Sequence, residues 1–272
     1  MKRNITGFFW GLFLLAIWYF QGAVLRVALS LMMIEGMREV FHAFDTYGDH
    51  TYWWPGITFS VLSMPVYVFF GWEAACILMF LCIISGMTTV ILHGEADFNA
   101  LIATVFPMLY PGMLFLMMFR MQDLPVPEYA SLCISITFLV PALCDVAAFE
   151  VGSHFGKHKL CPRLSPNKTI EGAVGGMVGA VLGIALLCVL YSGTKGVHMP
   201  PWWQLVPLGI LCGFASQCGD LAASLIKRRC GIKDYAKLLP GHGGLMDRMD
   251  SSLMCCVVVY GYFFIFCKVF IR

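Results

Sequence analysis

Residues 54–92 read WPGITFSVLSMPVYVFFGWEAACILMFLCIISGMTTVIL. A helix that crosses a bilayer needs about 20 mostly apolar residues. This run is long enough for two crossings, 54–71 and 73–92. Working outward in both directions, the same pattern returns at 5–20, 22–44, 99–119, 128–149, 173–191, 202–222 and 251–270. The expected fold class is therefore all-α, a polytopic transmembrane helix bundle of about nine spans. The first segment follows Lys2 and Arg3, as a signal peptide would. No small-residue cleavage site follows it and the next segment is again apolar, so it reads as a retained span.

Composition points the same way. The chain has 272 residues, of which 59% are hydrophobic and 12% charged. A soluble domain carries about 25% charged residues, so this chain cannot cover a water-facing surface. A soluble globular enzyme and a disordered chain are both excluded. The net charge of +2 argues against nucleic acid as a partner. Twelve cysteines are present without a single C-x-x-C. Ten lie in apolar runs, where a thiol behaves as a small hydrophobe. Cys161 and Cys230 fall in polar segments but lack the companions of a metal site.

Lys and Arg in the loops set the orientation. With nine spans, one side holds Lys2, Arg3, Arg38, Lys157, Lys159, Arg163, Lys168, Lys227, Arg228, Arg229, Lys233, Lys237 and Arg248. The other holds Arg120, Lys195, Lys268 and Arg272. The first side is expected to be cytoplasmic, with the N-terminus inside and the C-terminus outside. The expected location is the cell's inner membrane, with the active site facing the cytoplasm. Residues 1–120 read as a transmembrane scaffold, and 121–272 as the catalytic region with cytoplasmic loops 152–172 and 223–250. Glu35, Arg38 and Glu39 sit at a span end, where structural pairing is favoured over function. Gly172, Gly175, Gly176, Gly179 and Gly183 form a ladder at four-residue spacings. Such a ladder lets helices approach closely, either within the chain or across a homodimer.

Chemistry concentrates in two segments. Residues 224–250 read SLIKRRCGIKDYAKLLPGHGGLMDRMD, with Asp220 just upstream. On a continuing helix Asp220, Ser224, Lys227 and Arg228 share one face. Gly241-His242-Gly243-Gly244 makes a flexible turn whose N–H groups can approach an anion. Asp247 and Asp250 follow three apart on the next helix, with Arg248 between them. His242, between glycines and near Asp247, is the histidine most suited to a role. Carboxylates, bases and a glycine turn together suggest a metal-assisted phosphate site. A basic segment resting on anionic lipid would explain the lysines and arginines. It would leave the glycine turn and the acids at the membrane edge unexplained.

The second segment, 145–172, reads DVAAFEVGSHFGKHKLCPRLSPNKTIEG. Ser165 and Pro166 look like the N-cap and first residue of a helix. A helix N-terminus suits an anion, and Lys168 would stand beside it, with an ordinary capped entry into the seventh span as the equal alternative.

The stretch from Ser224 through Lys227-Arg228, Lys233-Asp234 and His242-Gly243-Gly244-x-x-Asp247-Arg248-x-Asp250 resembles the signature of the phosphatidate cytidylyltransferase (CDP-diacylglycerol synthase) family. Residues 145–172 are similar to the region upstream of it in that family. They differ at Val146, where Thr or Ser is common, and at Asn167, where Lys is common. The resemblance implies a nucleotidyltransferase that joins CTP and phosphatidate into CDP-diacylglycerol and pyrophosphate in phospholipid synthesis. It implies Asp220 and Asp247 as metal-binding acids, with Mg2+ required and a monovalent cation such as K+ admitted beside it. Asp250 would assist. Ser224, Lys227 and Arg228 would contact phosphates, and His242 and Arg248 complete the catalytic group. Lys233, Asp234, Gly243 and Gly244 would bind substrate. We expect Ser165, Asn167, Lys168 and Thr169 to hold the triphosphate. A related CTP-using enzyme acting on another lipid phosphate or alcohol is the second reading, since the apolar half does not distinguish acyl from isoprenoid chains. A transporter or lipid scaffold without catalysis is the third reading, and the internal repeat that a transporter often carries is not visible.

Overall fold

The computed structural model describes residues 19, 22–93, 97–195, 200–236 and 243–270, and of these it leaves out the side chains of 194–195 and 267–270. The expected span 5–20 lies outside the described residues except for Tyr19, and so does His242. Eight helices and one small hairpin make up the described chain. They are α1 (Ala23–Tyr47), α2 (Trp54–His93), α3 (Phe98–Pro107), a π-helical turn (Met108–Met113) leading into α4 (Leu114–Met121), α5 (Pro127–Phe155), β1 (Lys159–Cys161), β2 (Ser165–Thr169), α6 (Ile170–Lys195), α7 (Trp202–Arg229) and α8 (Met246–Phe270).

Six stretches among the described residues are long and apolar enough to cross a membrane: Trp54–His93, Phe98–Met121, Pro127–Phe155, Ile170–Gly193, Trp202–Arg229 and Met246–Phe266. This is a multi-pass membrane protein. α1 covers the expected span 22–44 but carries Arg26, Glu35, Arg38 and Glu39 and is not among the six. α2 has 40 residues, which at about 1.5 Å rise each would reach twice the thickness of a hydrocarbon core. It is broken at Gly71, whose φ of 88° and ψ of −176° lie outside the helical region. The two expected spans 54–71 and 73–92 are the two arms that meet there. Phe69, Phe70, Ile77, Phe80, Leu81, Ile84, Ile91 and Leu92 stand exposed along it, as lipid-facing side chains do.

The described chain divides into two compact units. The first comprises 1–120 and 226–248, the second 121–225 and 249–272. The described residues of the polar segment 226–248 thus belong to the same unit as α1, α2 and α3. In the first unit, Gly56 of α2 faces the Phe41 ring of α1 with no room for a side chain between them. Met37 also closes on Gly56, and Met33, Phe59, Phe115 and Phe119 are fully buried in the same unit.

In the second unit the glycine ladder is spent on packing within the chain. A Cβ on Gly175 would fall 2.5 Å from Cβ of Val151, and one on Gly176 would fall 3.0 Å from the Cys144 sulfur. Gly179 and Gly183 meet Ala147 and Leu143 in the same way. α6 thereby lies directly on α5. On its other side, Gly209 and Gly213 of α7 press against the backbone of Val181 and Met177. Between α5 and α6, Tyr191 Oη shares hydrogen bonds with Ser131 and Ser135 at 2.9 and 2.7 Å. Each described cysteine is a free thiol, and burial pushes the Cys230 thiol up from its ordinary value.

One local expectation is corrected. Ser165 and Pro166 do not open a helix. Residues 165–169 form β2, which pairs antiparallel with β1 in the register Lys159↔Thr169 and Cys161↔Ser165. The connection is a turn in which Leu164 N–H donates to Cys161 C=O at 3.1 Å, with Pro162 at the second position that suits its fixed φ. The helix begins only at Ile170. Thr169 caps it, its hydroxyl accepting from Gly172 N–H at 3.1 Å.

Candidate active site: two lysine–carboxylate centres

In the first unit, the functional segment is built around Asp247 at the start of α8. Lys227, near the end of α7, donates from Nζ to Asp247 Oδ1 at 2.7 Å. The Asp247 side chain is only 5% exposed and that of Lys227 13%. The second oxygen, Oδ2, accepts from Tyr235 N–H at 3.0 Å and Gly244 N–H at 2.9 Å. Lys227 also sits 5.5 Å from the centroid of the Tyr235 ring, a cation–π contact that supports the buried ammonium. Every donor the carboxylate needs is therefore supplied by residues 227–244, which the sequence places on a helix end and a loop.

The glycines of the turn have a specific reason. Gly243 has φ of +81°, and a Cβ there would lie 2.7 Å from Asp247 Oδ2. A Cβ on Gly244 would lie 2.5 and 2.6 Å from the two carboxylate oxygens of Glu39. Glu39 is 1% exposed. It accepts from Leu245 N–H and Met246 N–H, both at 2.8 Å. Leu245 immediately precedes α8 and Met246 opens it, so these N–H groups lie at the helix start, where no partner is available inside the helix. The N–H groups of Gly244, Leu245 and Met246 are thus taken by two carboxylates of this chain. Glu39 departs from the pairing read for Glu35 and Arg38, which do form a bidentate ion pair at 2.6 and 2.7 Å. Arg229 stacks 3.9 Å over the Tyr47 ring. Arg228 and Arg248 are exposed. Lys233 and Asp234 line a cavity of about 580 Å3 together with Arg38, Glu39, His42 and Tyr235.

In the second unit, Lys168 of β2 forms an ion pair with Asp220 of α7. The two side chains are 27% and 30% exposed. They stand in the wall of a cavity of about 380 Å3 that Asp145, Asn167, Thr169 and Gln217 also line. The hairpin, not a helix N-terminus, presents Asn167 and Lys168 to this space. Glu171 steadies the chain before the hairpin, accepting from Lys157 N–H at 3.1 Å and from His158 N–H at 3.2 Å. Its carboxylate also meets His158 Nδ1 at 2.6 Å. Ser165 lies at the start of β2, outside the cavity lining. Ser224 is half-buried one turn beyond Asp220. Asp250 is buried and its Oδ1 accepts from Ser251 N–H at 2.7 Å. Asp247 and Asp250, read as one helix face, fall in different units.

Sequence reasoning passed over Glu39, Tyr235, Asp145 and Gln217 as site residues. Asp145 carried a signal, a carboxylate inside an apolar run. Glu39 carried little, because its partners lie 206 and 207 positions away.

Among the described residues no group of three or more His, Cys, Asp and Glu is placed to hold a metal ion. The donors around the Lys168–Asp220 cavity nevertheless suit a hard cation: two carboxylates and two side-chain amides, with open space for further oxygens. Mg2+ commonly takes one or two protein carboxylates and completes its shell with substrate phosphate and water. Asp247 is less ready, since both its oxygens are engaged and it is nearly sealed from solvent.

The sequence profile of the Cytidylyltransferase family matches residues 1–266. Among curated relatives, a phosphatidate cytidylyltransferase of Brucella suis biovar 1 (strain 1330) is 42% identical over 131 residues, 48% of this chain and 46% of the relative. One of Brucella abortus biovar 1 (strain 9-941) is 41% identical over 131 residues, with the same shares of the two chains. One of Staphylococcus aureus (strain COL) is 40% identical over 116 residues, 43% of each chain. The matched region thus spans about half the length of these relatives.

Proposed function

The chain belongs to the Cytidylyltransferase family, and on that premise we propose that it transfers a cytidylyl group from CTP to phosphatidate. An oxygen of the lipid phosphate attacks the α-phosphorus of CTP. The bond from that phosphorus to the β-bridging oxygen breaks, and pyrophosphate leaves with the electron pair. The products are CDP-diacylglycerol and pyrophosphate, and no covalent enzyme intermediate is needed.

The observation that carries this reading is the Lys168–Asp220 pair in the wall of a cavity that Asp145, Asn167 and Gln217 share. A nucleotide triphosphate needs cationic donors for its oxygens and acids for its accompanying cation. Lys168 and Asn167 serve the first need and Asp220 the second. Asp220 would hold Mg2+, which offsets charge on the phosphates when bound. Asp247 is the second acid assigned to a metal, and it must first exchange its lysine for the cation. A monovalent cation such as K+ is compatible with the same oxygen donors. Lys227 is held by Asp247 and would turn to a phosphate oxygen when one is present. Ser224 and Arg228 lie on the same helix, α7, and supply further donors. The lipid substrate enters from the bilayer that the apolar helices define. We place the chemistry on the cytoplasmic side of an inner membrane, supported by the concentration of Lys and Arg in 152–172 and 223–250.

The test is conversion of phosphatidate by purified protein, with CTP and with or without Mg2+, beside Asp220→Asn. Metal-dependent CDP-diacylglycerol from the wild type alone is the expected result. Product from another lipid acceptor but not from phosphatidate would move the reading to a different CTP-using enzyme. Full activity in Asp220→Asn would remove that acid from the site.

A further inference from the structure

We infer that Glu39 of α1 is a positioning residue that sets the orientation of Asp247 through the Gly243–Met246 turn. This rests on the reading of Asp247 as part of the reacting site. Three observations within the first unit carry it. The Glu39 carboxylate is buried, and it spends one oxygen on Leu245 N–H and the other on Met246 N–H. Gly244 N–H, the next donor along the same backbone, goes to Asp247 Oδ2. The space that a side chain on residue 244 would need is filled by Glu39 itself. Three successive N–H groups are thus divided between two carboxylates, and neither set of bonds can shift without dragging the other.

The physical logic is that of a helix cap supplied from far away in sequence. A carboxylate facing the first turn of a helix satisfies donors that would otherwise be orphaned, and it favours the positive end of the helix dipole. A local cap would come from residues 243–245, but Gly243, Gly244 and Leu245 have no side chain able to accept. Glu39 fills that role. The cost of an N–H left bare in a buried position is large, so the turn keeps one geometry while both Glu39 oxygens accept. Asp247 inherits that geometry through Gly244. Removing Glu39 leaves the Asp247 acid present and chemically intact but free to rotate away from Lys227 and Tyr235.

Glu39→Gln keeps the volume but offers one acceptor and turns an NH2 group towards the second N–H. Glu39→Asp keeps the charge on a shorter arm. Tyr47→Leu removes the Arg229 stacking that ties the same segment to α1 and serves as the structural control. The full chain is purified in detergent, and turnover, melting temperature and backbone hydrogen exchange are read for each variant. Misplacing a reacting group by about 1 Å costs about a hundredfold in rate. kcat is expected to fall by at least about tenfold in Glu39→Gln, with KM for CTP little changed and Glu39→Asp in between. Exchange at Leu245–Asp247 should accelerate in the same order. Tyr47→Leu should lower the melting temperature while keeping kcat near wild type. Equal kcat losses in Tyr47→Leu and Glu39→Gln at matched melting temperatures would overturn the inference, as would wild-type kcat in Glu39→Gln. If the wild type itself makes no product, the proposed reaction fails and exchange decides alone. Unchanged exchange at Leu245–Asp247 in both Glu39 variants would then sink the inference.

Discussion

Replacing Asp247 by Asn and Lys227 by Met, singly and together, separates what the buried pair does for the fold from what it does for the reaction. In Asp247→Asn the new side-chain amide would keep an acceptor for the Tyr235 and Gly244 N–H groups. It would also set an NH2 group against the Lys227 ammonium, which is 13% exposed. Breaking a buried ion pair from one side costs about 3–5 kcal/mol. The Lys227 side chain retains some contact with water and with the Tyr235 ring, so about 3 kcal/mol is expected for Asp247→Asn. Lys227→Met leaves the Asp247 carboxylate with two N–H donors and removes one charge-assisted bond, a loss of about 2–3 kcal/mol. The double variant has neither an unpaired cation nor an unpaired anion. Its destabilisation should be about 3 kcal/mol, well short of the sum of the single losses, which is a coupling of about 2–3 kcal/mol. Stability is measured by denaturation in mixed detergent micelles and activity by CTP-dependent product formation. Turnover should fall by about a hundredfold or more in Asp247→Asn and should not return in the double variant. Additive stability losses would refute the claim that the two side chains act as one electrostatic unit. Recovery of turnover in the double variant would refute a role for Asp247 in the chemistry.

Lys168→Ala should cost only about 0–1 kcal/mol of stability, because its partly exposed ion pair is screened by solvent. The same change should raise KM for CTP by about tenfold or more through loss of a charge-assisted contact. Thermal denaturation checks the first expectation and steady-state kinetics with varied CTP the second. Gly179→Leu should destabilise the α5–α6 pair by about 1–3 kcal/mol, since a Cβ at 179 already meets Ala147. Gly193→Ala, where nothing lies within 4 Å of the added carbon, should melt like the wild type. Thr169→Ala removes the cap of α6 and should cost about 1 kcal/mol, with faster amide exchange at Gly172 as its local sign.

The apolar runs made the helices legible because hydropathy over about 20 residues is a strong, local signal. Even the division of 54–92 into two segments has its physical counterpart in the break at Gly71. The start of α6 was misread because Ser-Pro serves a strand as well as a helix cap. What decided between them was the pairing of Thr169 with Lys159 and the turn at Pro162. Those depend on a whole hairpin folding together rather than on one position. At the site, residue types were legible and partners were not. Lysines, acids and glycines in 224–250 announced charge and a tight turn. Nothing in that stretch says that Lys227 would close on Asp247, twenty positions later. The glycine pair is the sharpest instance. A sequence shows that two side chains are missing at 243 and 244, which means only that something must come close. A bound phosphate and a carboxylate of the chain itself make the same demand on the backbone. The choice rests with Glu39, on a helix whose charged residues resembled ordinary pairing at a span end, and only the tertiary fold places its oxygens where a Cβ on Gly244 would stand.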